Sequence, residues 1–233
     1  MKDFSHRVKC RRSAIGRRFL TVICVIGTLA QASAAQPPRR ERVIQERPGA
    51  PIASRLKPTD EIVVIERPEP FGVRFNSPPT LPEQVGHAVF VCDAAVVVTP
   101  DRVEPRLSDD GSWVETRIAG VVSDVAMARK RPLKTGQRIE IVDESGGQLT
   151  IAKVLVKAGV SPKVDANREY LMFLKENPDT GVLWPCQTAL LVEGGILWNP
   201  WNRDATERKD PYSGAKVADV KKLIAAELQR IPQ

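Results

Sequence analysis

Cys92, Cys186 and His87 are the only cysteines and histidine left once the first 35 residues are set aside. In an oxidising compartment an isolated pair of cysteines is most simply a disulfide. It would close a loop of about 95 residues, which chain-entropy reasoning values at roughly 4 to 5 kcal/mol. A thiol redox role is the weaker reading, because no Cys-x-x-Cys spacing occurs and no basic cluster flanks either residue to lower its pKa. A hydrolytic triad needs a base beside a nucleophile, and a structural zinc site needs several Cys or His ligands; one histidine supplies neither. No metal or other cofactor is expected. Carboxylates remain, and a pair drawn from Asp93, Glu115 and Asp124 could cleave a glycosidic bond if the two stood about 5 to 10 Å apart. An envelope hydrolase is thus the alternative function, although solvated strand-face charges are the plainer reading of these acids. Asp109-Asp110-Gly111-Ser112 lacks the alternating ligands and closing Glu of a calcium loop and reads as a turn.

The aromatic signal comes late. Trp184, Trp198 and Trp201 fall within 18 residues, the last two in Leu197-Trp198-Asn199-Pro200-Trp201-Asn202-Arg203. Indoles beside Asn and Arg suit a flat contact with a sugar ring or a protein partner, so Trp198, Asn199, Trp201 and Arg203 are the candidate binding residues. The competing reading puts the indoles over one end of the core. Arg129-Lys130-Arg131-Pro132 with Lys134 is either a solvated turn or a site for an acidic partner or anionic lipid. Neither Gly-x-Gly-x-x-Gly nor a Lys-bearing phosphate loop is present.

These residues must be held by something, and composition shows where it begins. Of 35 Lys and Arg against 28 Asp and Glu, seven basic residues and one acid lie in residues 1–35, leaving 28 against 27. The net charge of +7 therefore says little about the rest, and nucleic acid is not expected as a partner. Basic residues to Arg18, an apolar run Phe19 to Ala30 and Ala32-Ser33-Ala34-Ala35 read as a secretory signal peptide. An uncleaved anchor would need about 20 apolar residues, more than this run offers. The expected location is periplasmic or secreted, with no transmembrane segment after cleavage; the export route stays open. Residues 36–84 hold 10 of the 19 prolines and read as a mostly disordered linker, with Glu61-Ile62-Val63-Val64-Ile65-Glu66 as a short edge strand.

From 85 to 233 the charges balance and strand patterns dominate. Ala88 to Thr99 reads as a strand buried on both faces and ended by Pro100, and Trp113 to Met127 as a long strand whose apolar phase changes at Gly120, the mark of a bulge. Gln137–Asp143 and Leu149–Val156 are expected to form a hairpin about Gly146-Gly147, with Glu169–Lys175 as a core strand and a second hairpin about Gly194-Gly195. Ser213 is expected to cap a helix carrying Val217, Val220, Ile224, Leu228 and Ile231, stopped by Pro232 and closing an end of the barrel. The expectation is a mainly β fold: a small OB-like barrel of five to six strands with a C-terminal amphipathic helix.

Gln137-Arg138-Ile139-Glu140-Ile141, Gly146-Gly147, Asn167-Arg168-Glu169-Tyr170-Leu171-Met172-Phe173-Leu174 and the terminal helix together resemble a set of uncharacterised secreted bacterial proteins. Their domain is of the netrin-like, OB-fold kind found in tissue metalloprotease inhibitors. Asn167 stands where that pattern commonly has Gly, which Asn can replace if the turn needs a left-handed residue. The resemblance implies a barrel over about Val91 to Ile231 and suggests protease inhibition. Those inhibitors act through a mature N-terminal cysteine, whereas Cys92 lies more than about 50 residues inside the exported chain. The main expectation is a non-enzymatic binding domain whose partner is an envelope protein or glycan.

Overall fold

The computed structural model describes residues 40–67, 80–201 and 210–231; the leader, Arg203 and Pro232 lie outside them. In order, the chain forms β1 (Glu41–Gln45), a 3-10 turn (Ile52–Arg55), β2 (Ile62–Glu66), α1 (Leu81–Val91), β3 (Ala94–Leu107), β4 (Val114–Ala128) and β5 (Arg138–Asp143). Then come β6 (Gly146–Ile151), β7 (Val154–Gly159), β8 (Glu169–Glu176), β9 (Leu183–Pro185), β10 (Leu190–Glu193), β11 (Ile196–Trp198) and α2 (Val217–Arg230).

The fold is mainly β, with a barrel-like ring and a C-terminal helix, as the sequence leads one to expect. The ring runs β8-β3-β4-β5-β9, and short β9 completes it by pairing with β5 at Ile141 and with β8 from Leu174 to Glu176. Alternation along β3 and β8 sends Val96, Val98, Met172 and Leu174 to one side, where Ile118, Ile139 and Ile141 join them. Ala95, Val97, Leu171 and Phe173 face the other side, under Val85 and Val89 of α1 and Val220 and Ile224 of α2. Both faces of these strands are covered, so they read as unbroken apolar runs. Helix α2 therefore lies on the outside of the ring beside α1 instead of closing a barrel end. It starts at Val217 with Lys216 as its cap. Ser213 serves elsewhere, its Oγ accepting the Asn199 N–H at 3.1 Å.

Several local expectations are corrected. Ala88–Val91 end α1 instead of opening β3. The deciding signal is the capping box in which Thr80 and Glu83 satisfy each other's backbone N–H groups. Pro100 does not end β3, because an irregularity between Pro100 and Arg102 lets the strand run on to Leu107. Gly120 of β4 is needed for close approach, since a Cβ there would sit 2.6 Å from the Thr99 carbonyl oxygen. The apolar phase of β4 changes after Val122 instead, where the register with β3 slips by one residue.

The largest difference is in residues 36–84. Residues 40–67 are not a linker: β1 and β2 belong to a four-stranded sheet of order β1-β2-β7-β6. β2 is a central strand, parallel to both neighbours. Val63 and Ile65 are buried against Val156, Trp113 and Ile52 in a core of the small sheet's own. Arg42 grips the Asp60 carboxylate and donates to the Arg55 carbonyl, tying the β1–β2 crossover. Proline content masked this pattern, because Pro48, Pro51 and Pro58 all fall in the crossover and none in a strand.

Gly146-Gly147 is no hairpin turn. Gly146 has φ 141° and touches strand β7 so closely that a Cβ would lie 2.0 Å from the Ala158 carbonyl oxygen. The pair marks where the chain leaves the ring and enters the small sheet. The tight turn lies six residues on, at Ala152-Lys153, both left-handed without glycine. Gly194-Gly195 does turn the β10–β11 hairpin, with φ 59° and 77°. Asn167 takes φ 64°, so this position does need a left-handed residue.

Candidate functional site

The disulfide forms between Cys92 and Cys186, whose Cα atoms are 6.1 Å apart. Cys92 caps α1 and Cys186 follows β9, so the bridge fastens the helical layer to the closing strand of the ring. Tyr212 lies near this join beside Phe173, its hydroxyl donating to Gln187 at 3.3 Å; burial raises its pKa.

The three candidate acids are held apart, each beside a different cation. Asp93 is buried, accepts the Glu176 N–H at 3.0 Å and faces Lys130 at 3.1 Å. Asp124 on β4 meets Lys221 of α2 at 2.6 Å. Glu115 takes the Arg106 Nε–H at 2.6 Å and lines a cavity of about 160 Å³ with Asp109, Glu144 and Trp184. Burial raises the pKa of Glu115 although Arg106 opposes the shift. Asp109 is exposed and shares Arg106, so a guanidinium stands between the two carboxylates. His87 is exposed on α1. Among the described residues no three His, Cys, Asp or Glu side chains group to hold a metal ion.

The basic cluster lies at the surface, and three of its members bind groups of the same chain. Arg129 donates to the carbonyls of Phe90 and Cys92, Lys130 pairs with Asp93, and Arg131 reaches Glu176 at 3.7 Å. It staples the end of β4 to the end of α1 and the start of β3. Asp110 is the turn residue expected from its sequence, accepting from the Ser112 and Gly49 N–H groups and from two serine hydroxyls.

The late tryptophans separate by exposure. Trp198 is half-buried against the ring interior. Trp184 is half-buried at the Glu115 cavity. Trp201 is 40% exposed. Asn199 is buried, and its contacts are internal: its amide donates to Asp210 and its Oδ1 accepts the Trp201 N–H at 3.0 Å. Asn199 thereby positions Trp201 without facing a cleft itself.

Trp201 stands where two clefts meet. One, of about 750 Å³, is bounded by β7 of the small sheet, the 160–168 connection and Leu191 of β10. The other, of about 550 Å³, runs toward Cys186, Thr188 and Asp143. Val160, Lys163 and Trp201 line both. The Lys163 ammonium lies 4.6 Å from the indole centroid and donates to the Pro200 carbonyl at 3.4 Å. Arg168 faces Asp165 at 3.5 Å and also Glu193. Tyr170 underpins the connection, its hydroxyl accepting the Asp165 N–H at 2.9 Å.

Sequence reading found Trp201 but not Lys163, which stands 38 residues earlier in an unremarkable stretch, Ser161-Pro162-Lys163. Only the fold brings the two together. No protein-family model matches the chain, and a search of curated proteins finds no relative. Among the described residues no helix is long and apolar enough to cross a membrane.

Proposed function

We propose that the chain is an exported, non-enzymatic binding module of the bacterial envelope or its surroundings, and that it captures an envelope protein or glycan at the Trp201 clefts. The observation that supports this is the exposure of Trp201: a rigid, flat apolar ring stands at the junction of two concave surfaces, where a ligand would cover it. The disulfide supports an oxidising compartment, and with it the reading of residues 1–35 as a signal peptide. The netrin-like likeness enters this proposal only as a resemblance, and its inhibitory chemistry draws no support, because Cys92 is buried in the disulfide.

Cross-linking of the exported protein in its native envelope tests the reading. Trp201→Ala should leave the melting temperature unchanged and remove the cross-linked product. Retention of the product in that variant would overturn the assignment of the cleft.

A second reading, hydrolysis, rests on the buried Glu115 in its cavity. It requires that Glu115→Gln abolish a glycan-cleaving activity of the folded protein, and an absence of such activity in the unmodified chain would end it.

A further inference from the structure

Resting on the cleft proposed above, we infer that its ligand is an acidic saccharide, a chain of pyranose rings bearing carboxylate or similar anionic groups. The charges at the opening support this. Asp165 and Glu193 both face Arg168, which accounts for the acids there. Lys157 and Lys163, which line the same cleft, have no carboxylate partner among the described residues. Two uncompensated ammonium groups beside an exposed indole select a ligand that is anionic and has a flat apolar face.

A sugar ring meets both demands. Its C–H face stacks on the indole, while Gln148 and Ser161 at the same cleft offer hydrogen bonds to hydroxyl groups. Lys163 leans over Trp201 and lines both clefts, together with Val160, Pro162 and Val164. An anionic group on the ligand competes for that ammonium. Drawing it off the ring uncovers more of the indole where the two clefts adjoin, so the charge that selects the ligand also admits it. An exposed cation–π contact is weak enough to be exchanged in this way. The adjoining clefts then suit several linked rings.

The full exported protein is titrated with short oligogalacturonate, with the neutral galacto-oligosaccharide of equal length and with poly-glutamate, following tryptophan fluorescence and calorimetric heat. Oligogalacturonate should bind, with affinity falling as salt rises. Lys163→Met and Lys157→Met should each weaken it about tenfold, and Trp201→Ala should abolish it, all with unchanged melting temperature. Lys163→Arg should restore most of the loss. Equal binding of poly-glutamate would overturn the inference in favour of an acidic peptide. Equal binding of the neutral oligomer, or no binding of oligogalacturonate, would overturn it as well. The envelope cross-link separates the two levels. If Trp201→Ala loses the product while Lys163→Met keeps it, the cleft stands and the acidic saccharide falls; if Trp201→Ala keeps it, both fall.

Discussion

Among the described residues two indoles carry a cation over the ring, and their surroundings differ. Trp113 is 3% exposed, with the Arg67 guanidinium 4.2 Å from its centroid and its Nε1–H donating to the Glu144 carbonyl at 2.9 Å. Arg67 is itself fixed by two hydrogen bonds to Glu46. Trp201 is 40% exposed, and its cation is a lysine held by one carbonyl at 3.4 Å. A planar guanidinium locked by a carboxylate makes a permanent cover, whereas an ammonium on a flexible stem makes a removable one. The same pairing of side-chain types therefore serves stability at one site and access at the other, and anchoring of the cation distinguishes them.

Substitution tests the contrast most severely at Trp113. Trp113→Ala opens a cavity in the small sheet's core and should cost about 3 to 5 kcal/mol in urea unfolding. A loss as small as that of a surface residue would erase the distinction between the two indoles. Replacing both cysteines with serine gives a scale for comparison: the bridge joins residues 94 apart in sequence, and its removal should cost about 2 to 4 kcal/mol. Measured by fluorescence-detected unfolding, the change should lower the midpoint by that amount; an unchanged midpoint would show that the bridge adds nothing to stability.

Acid should weaken the Trp113 side through Asp110. The N–H groups of Ser112 and Gly49 and the hydroxyls of Ser112 and Ser108 hold the Asp110 carboxylate well below its usual pKa. The folded value is depressed, so this contribution is complete above about pH 4 and is lost as pH falls toward the folded value. Asp110→Asn should flatten the acid limb of a stability–pH curve; an unchanged limb would show that other carboxylates govern it. The smallest stability effect belongs to Trp201→Ala, within about 0.5 kcal/mol of the parent in the same urea assay. A loss approaching that of Trp113→Ala would return Trp201 to the core.

How legible these regions are in the sequence follows the same division. Local chemistry identified the disulfide pair, the Gly194-Gly195 turn and the apolar stripe of α2, while the resemblance alone raised the question of a left-handed residue at Asn167. Where two parts of the chain must meet, the sequence was silent or misleading. The run Ala88–Val91 fits helix or strand equally well, and only the Thr80 and Glu83 cap decides. Gly146-Gly147 looks like a turn because glycine serves both tight turns and close backbone approach, and the Ala158 carbonyl that demands it lies 12 residues on. Ile62–Glu66 is suited to a strand, but its partners are β1 and a β7 that follows far downstream. Of the site, Trp201 was legible by residue type; its lysine was not, nor was the internal use of Asn199.

The parallel pairing of β2 with β7 sets Val63 beside Val156, a separation of about 90 residues spanning most of the ring. Such distant partners meet slowly, because the intervening chain must be brought round before any contact rewards it. The β7-facing edge of β2 thus has no partner until the β6–β7 hairpin has been made. Whatever shields Ile62–Glu66 during that interval decides whether a newborn chain matures or clumps.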